Sequence, residues 1–90
     1  MAVVGAQGFA EVRRHHLAAL AYEVEGRGLL WRTAGPDGSV LTVTGPRTRR
    51  HVMVVATPAR GGWSYLWTGG GIADVTEVMA VADRLARLLA

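Results

Sequence analysis

The middle of the chain holds four short runs rich in valine, threonine, tryptophan and leucine, which are residues that suit a pleated sheet. The connections between them are brief, and each carries one proline: Pro36, Pro46 and Pro58. No connection is long enough to hold a crossover helix, so sequential strands cannot pair in parallel. The spacing therefore predicts a four-stranded antiparallel meander. Its strands are predicted at Leu29–Ala34, Ser39–Thr44, His51–Thr57 and Trp63–Thr68.

A helical pattern precedes these strands. Between Gly8 and about Glu25, apolar residues recur at the spacing of one helix face. Gly26 follows and is well placed for the left-handed conformation that ends many helices. Residues 1–7 continue no clear pattern and are predicted to be a flexible lead-in. The apolar stripe consists of Phe9, Val12, Leu17, Leu20 and Val24.

A second helix is predicted after the strands. Asp74 is a favourable N-cap residue, and Glu77 stands three positions later, as in a capping box. With two helices on one face of an antiparallel sheet, residues 8–90 are predicted to form a single two-layer α+β domain. The apolar stripe of this helix consists of Val75, Val78, Met79, Ala82, Leu85, Ala86 and Leu89.

Composition excludes several kinds of site. The chain has no cysteine, which excludes disulfides, thiolate metal ligands and cysteine nucleophiles. No segment approaches eighteen consecutive apolar residues, so no membrane span is predicted, and we expect a cytoplasmic protein. All ten basic residues are arginine, a usage typical of GC-rich bacterial genomes. The net charge of +3 is only a weak indication of an anionic partner.

The chain is apolar for its size, with 50% hydrophobic and 19% charged residues. A small domain leaves much of its surface exposed, so part of this apolar excess is expected to meet another chain. The third run is apolar at the consecutive positions Val52, Met53, Val54 and Val55, whereas a strand with one solvated face alternates. We therefore expect the second face of the sheet to be covered by another subunit in a homodimer.

The segment Gly61–Gly71 contains two of the three tryptophans. In a strand, Trp63, Tyr65 and Trp67 would share one face because successive side chains alternate. Such a row either packs in the core beneath the helices, together with Trp31, or forms a surface for a partner or ligand. The sequence leaves both alternatives open. The residues predicted to bind a partner are Trp31, Trp63, Tyr65 and Trp67.

Basic residues cluster between the second and third strands, at Arg47, Arg49, Arg50 and His51. Charged runs in loops are most often solvated hairpin tips. They also suit contact with phosphates, and together with an aromatic face they would suit RNA or single-stranded DNA. No known nucleic-acid recognition motif accompanies them. Nucleic-acid binding by these four residues is therefore the alternative function.

Two further motifs resemble ligand sites. His15 and His16 are adjacent, so they point in different directions on a helix and cannot chelate one metal as an i, i+4 pair would. No metal site is predicted. The glycines of Thr68–Asp74 lie between a strand and a helix, but there is no lysine for a phosphate loop, and the carboxylate of Asp74 would repel phosphate. We interpret this segment as a flexible link.

The inventory for catalysis is small. The only serines are Ser39 and Ser64, and the seven carboxylates are scattered along the chain. We therefore expect no enzymatic activity and no cofactor. The helix–meander–helix outline is similar to that of small dimeric chaperones and accessory proteins. The expected function is a non-enzymatic, chaperone- or regulator-like protein-binding module acting as a homodimer; a small-molecule pocket between sheet and helices is the third alternative.

Overall fold

The computed structural model describes the backbone of residues 2–90 and the side chains of residues 8–90. The chain forms a helix, a five-stranded sheet and a second helix. Every strand pairs antiparallel with its neighbours in sequence, which confirms the predicted α+β meander. The elements are α1 (Ala2–Gly26), β1 (Leu30–Ala34), β2 (Val40–Thr44), β3 (His51–Ala59), β4 (Gly62–Trp67), β5 (Gly71–Asp74) and α2 (Val78–Leu89).

Helix α1 starts before the predicted Gly8, at Ala2. Met1 and the side chains of residues 1–7 lie outside the described residues, so flexibility of the predicted lead-in stays a prediction. Leu17, Leu20 and Val24 of the predicted stripe are buried, as expected. Phe9 and Val12, near the start of α1, are instead 54% and 37% exposed.

The end of α1 differs from the prediction at Gly26. The left-handed residue is Gly28, with φ 82°. The amide of Gly28 donates to the carbonyl of Glu25 at 3.0 Å, and the amide of Leu29 donates to the carbonyl of Val24 at 3.1 Å. This pair of bonds is a Schellman motif, which satisfies the last carbonyls of the helix and brings Leu29 into the core.

Both helices pack on the same face of the sheet. α1 contacts β1, β2, β3 and α2, so a helical layer lies over a sheet layer. Nothing in the described part of the chain covers the opposite face. The core between the layers consists of Leu17, Leu20, Ala21, Val24, Leu29, Leu41, Val43, Val52, Val54, Ala56, Tyr65, Trp67, Val81, Ala82, Leu85 and Leu89.

The predicted flexible link is instead a turn followed by a fifth strand. Gly69 and Gly70 have φ values of 100° and 91°, which favour glycine. The amide of Gly70 donates to the carbonyl of Trp67 at 3.2 Å and closes the turn. The chain then returns as β5 and pairs with β4. The four-strand prediction was therefore wrong by one strand.

Asp74 ends β5 and caps the next element, as predicted. Its carboxylate accepts hydrogen bonds from the amide and the hydroxyl of Thr76, both at 2.8 Å. These bonds hold the pKa of Asp74 below its usual value. The capped element is a single 3-10 turn, Val75–Glu77, and α2 begins after it. Within the described residues, the Glu77 side chain makes no capping-box hydrogen bond.

Helix α2 lies beside α1 and faces the core with four residues: Val81, Ala82, Leu85 and Leu89. Met79, which was predicted to share this buried stripe, is 60% exposed. Arg27, just after α1, joins the two helices because its Nε lies 2.7 Å from a carboxylate oxygen of Asp83. The helical layer is thus held together at its edge as well as through the core.

Candidate protein-binding surface

The three aromatic residues of β4 face the helices. Tyr65 is 0% exposed, Trp67 is 6% exposed and Trp63 is partly buried. The Tyr65 hydroxyl donates to the carbonyl of His16 at 2.6 Å, and burial raises the pKa of Tyr65 to about 12. This placement supports the core alternative. Partner contact by these three residues stays a prediction, and their burial does not favour it.

Side chains of α1 close over Trp63. The Phe9 ring meets it edge-on at 6.0 Å between centroids, and the His16 ring lies at 5.6 Å. The Arg13 guanidinium lies 5.6 Å from the ring centroid, and Arg13 Nε also donates to the carbonyl of Ala56 at 3.1 Å. Burial lowers the pKa of His16. The aromatic face is therefore occupied by the protein's own side chains and offers no open platform for nucleic-acid bases.

Trp31 has a different environment. It lies on β1 opposite the buried Val43 of β2, so its side chain is on the helix-facing side of the sheet. Because β1 is at the sheet edge, Trp31 is nevertheless 40% exposed. The indole Nε1 donates to the carboxylate of Glu25 at 2.8 Å. Trp31 is thus the most accessible of the four predicted partner-binding residues.

The basic turn between β2 and β3 docks on the C-terminal end of α2. Thr48 Oγ1 donates to the carbonyl of Leu89 at 2.8 Å, and Arg50 Nη1 donates to the carbonyl of Leu88 at 3.4 Å. A β-carbon on Gly45 would overlap the Leu89 carbonyl oxygen, so the turn approaches this closely only with glycine there. A cation near the end of a helix is favourable because the helix dipole is negative there.

This docking gives Arg50 a structural role. Arg47, Arg49 and His51 are exposed, and Arg49 adopts a left-handed φ of 63° in the turn. The structure therefore brings the predicted basic residues together in one turn but does not join them to the aromatic row. Nucleic-acid binding stays a prediction that rests on the basic turn alone.

Other kinds of site receive little support. Among residues 8–90, no three histidine or carboxylate side chains converge on a point that would suit a metal ion. No helix in the described part of the chain has the length and apolarity needed to cross a bilayer. The pockets between described residues include open grooves of about 190 to 320 Å³, which give the small-molecule alternative no enclosed site.

The uncovered face of the sheet carries a continuous row of apolar residues that crosses all five strands. The register pairs Leu66 with Val55 on one side and with Ile72 on the other. Because Leu41 pairs with Val54, the next position sets Val40 beside Val55. Val40 in turn pairs with Ala34. The apolar row consists of Ala34, Val40, Val55, Leu66 and Ile72.

Mostly polar residues lie on both sides of the apolar row. Thr57, Ser64 and Asp74 form the neighbouring row on one side, as their pairing shows. On the other side, Arg32 pairs with Thr42, which pairs with the exposed Met53. Within the apolar row, Ala34 and Ile72 are exposed, Ile72 to 63%, and the other three residues are half-buried by their neighbours on the sheet. An apolar centre within a polar rim is the arrangement of a protein interface.

The sequence indicated only part of this surface. The predicted two-sided apolarity of the third strand is confirmed, since Val52 and Val54 face the helices while Met53 and Val55 face away. Ile72 was missed because its strand was interpreted as a link. The signal that could have found it is the pair Gly69 and Gly70 directly after the fourth strand, since two glycines can form a two-residue hairpin turn. No protein-family model matches the chain, and no curated protein or solved structure matches it either.

Proposed function

We propose that this chain is a small non-enzymatic protein-binding module, chaperone- or regulator-like, that acts as a homodimer through the apolar row. The observation that carries the proposal is the apolar row itself, which crosses an entire sheet face that no described element covers. Contiguous exposed apolar surface on a small domain marks an interaction site. We place the module in the cytoplasm, since a domain without cysteine folds unaided in a reducing compartment.

A second copy of the chain is a suitable cover for this surface. Two sheets pack face to face about 10 Å apart, with strand directions within about 30° of each other. A two-fold pair brings the same patch of both copies together, so each apolar row meets its equivalent. The rim carries both signs of charge, Arg32 on one side and Asp74 on the other, and both remain at the edge in contact with water.

The area of the face suggests a reversible dimer. Five strands spaced about 4.8 Å apart, each contributing about five residues at 3.3 Å, cover on the order of 400 Å² before side-chain relief is counted. Stable interfaces bury about 800 Å² on each partner. The face lies below that value, so we expect the dimer to dissociate on dilution.

Substituting Ile72→Arg is expected to convert the dimer to a monomer. The new guanidinium would lie at the β5 end of the apolar row, against the apolar surface of the second chain, which disfavours association strongly. In light scattering at a concentration where the wild type shows twice the 9.6 kDa chain mass, the variant should show one chain mass.

Met79→Arg is the matched control, because Met79 is exposed to the same extent, 60% against 63%, but lies on α2 away from the sheet face. It should keep the dimer mass. Circular dichroism should show that both variants stay folded. A dimer that persists in Ile72→Arg, or one lost only in Met79→Arg, would place the interface elsewhere.

A further inference from the structure

β1 is an edge strand whose outer side is free. Among the described residues it pairs with β2 alone, and all five of its residues are exposed. It contains no proline, and Arg32 is its only charged residue. Such an edge presents unpaired amides and carbonyls that can pair with another strand. The other edge, β5, is less available, since it has only four residues and its last one, Asp74, caps the following turn.

A groove of about 270 Å³ runs beside this free edge, between β1 and α1. The small side chain of Ala18 leaves the groove open on its helix side. Trp31 forms the strand side, and its hydrogen bond to Glu25 holds the indole in place. The floor of the groove is formed by the buried residues Leu17, Ala21 and Leu41.

One end of this groove is positively charged. A second depression, of about 200 Å³, continues along α1 to Ala10 and shares Arg14 with the first. Its charged residues are Arg13, Arg14 and Asp37. Arg13 already packs on Trp63, whereas Arg14 forms no ion pair with any described residue. An acidic group at this end would give Arg14 a partner.

The two depressions together match the length of a short extended peptide. They follow α1 from Ala10 to Ala21, a distance of about 16 Å at 1.5 Å per residue. About five residues of a strand cover the same length. Side chains on one face of such a strand would enter the groove at every second position.

We infer that the free edge of β1 and the adjoining groove bind an extended segment of a partner protein, with apolar side chains at alternate positions and an acidic residue beside Arg14. The segment adds a sixth strand to the sheet, so main-chain hydrogen bonds supply affinity and the groove supplies selectivity. This inference rests on the proposed protein-binding function. It uses a different surface from the apolar row, so both can operate in one dimer.

A second copy of the chain fits this edge less well. Two antiparallel β1 strands centred on each other would set Arg32 directly opposite its equivalent, and like charges in that position are destabilising. A shift of two residues avoids this conflict but leaves only about three paired residues on each strand. A partner segment without a central cation meets neither difficulty.

The test uses two fluorescein-labelled six-residue peptides of alternating threonine and valine. One peptide carries a glutamate at its N-terminal end and the other at its C-terminal end, because the bound strand can run in either direction. Fluorescence anisotropy with the wild-type protein should show saturable binding of at least one peptide. Arg14→Glu should weaken it about tenfold and favour the equivalent peptide with lysine in place of glutamate.

Groove and edge are tested separately. Ala18→Leu fills the groove and should weaken binding about tenfold, while Tyr22→Leu, one turn on and 78% exposed, should leave it unchanged. The peptide is also prepared with N-methyl groups at alternate residues, in the two possible patterns. One pattern should abolish binding and the other preserve it, since only alternate amides of the added strand face β1.

Three results would overturn the inference: no binding of either peptide, equal binding of both N-methylated forms, or an affinity of the Ala18→Leu protein equal to that of the wild type. If the protein has the mass of four chains and the peptides do not change that mass, the edge of β1 pairs with a second copy of the chain instead. Repeating the titration with Ile72→Arg separates the two proposals. Peptide binding by a monomeric variant supports both, and peptide binding by a variant that is still dimeric supports the groove alone.

Discussion

Replacing Trp67 with alanine is expected to lower the free energy of unfolding by about 3–5 kcal/mol. Trp67 is one of the largest side chains of the core and is 6% exposed. It lies opposite Val54 on one side and Gly71 on the other, and the Arg84 guanidinium covers its ring at 5.9 Å. Its loss leaves a cavity between β4 and α2. Natural domains have a total free energy of unfolding of about 5–15 kcal/mol, so this loss is a large fraction of the stability.

Urea unfolding followed by circular dichroism, at one fixed protein concentration, measures this loss. Trp31→Ala is the control, since Trp31 is 40% exposed and should lose only about 1–2 kcal/mol through its contact with Glu25. Equal stability of the two variants would contradict the assignment of Trp67 to the core. A Trp67→Ala protein with wild-type stability but a changed mass of its assembly in solution would assign Trp67 to a partner interface instead.

Gly71→Ala is expected to destabilise the domain by about 1–3 kcal/mol, although it adds a single methyl group. The reason is space, because a β-carbon on Gly71 would overlap the indole of Trp67 directly opposite. Either the indole or β5 must move. Gly62→Ala is a matched control, since Gly62 also lies in a strand but has open space where a β-carbon would stand. It should be neutral within about 0.5 kcal/mol.

A double-mutant cycle tests the cause of the Gly71 effect. In a Trp67→Ala background the indole is absent, so Gly71→Ala should have little further effect. The two substitutions should therefore be coupled by about 1–3 kcal/mol. Additive effects would show that Gly71 is required for some reason other than the indole.

The same pair of residues explains why the fifth strand escaped prediction. Three consecutive glycines are typical of a link, and only Ile72 and Ala73 stand between them and the cap at Asp74. Gly69 and Gly70 are required for the turn because of their positive φ values. Gly71 serves a different purpose, which is to make room for Trp67 on the neighbouring strand. A requirement set by a cross-strand neighbour cannot be read from local sequence.

The other elements were predictable because their signals are local. Strand alternation, the turns at Pro36 and Pro46 and the Asp74 cap each act within a few residues. Pro58 was wrongly predicted to lie in a connection, because β3 continues through it to Ala59 and pairs it with Trp63. The face occupied by the aromatic row was not predictable, since both faces of β3 are apolar and alternation alone cannot identify the inner one. That choice depends on where α1 and α2 pack, which involves residues far apart in the chain. The apolar row also appears only once the register joins five strands.

The most direct test of the dimer interface uses Ile72, the only isoleucine in the chain. Labelling the isoleucine δ1 methyl group gives one NMR signal, from the β5 end of the apolar row. A mixed dimer of labelled and unlabelled chains then reports contacts between chains through isotope-filtered nuclear Overhauser effects.

We expect the Ile72 methyl to show contacts with methyl groups of the second chain, from valine or leucine residues of its apolar row, and to lose them on dilution to the monomer. If the Ile72 methyl shows no contact with the second chain in a sample whose mass is that of a dimer, the sheet face is not the interface and the central proposal is wrong.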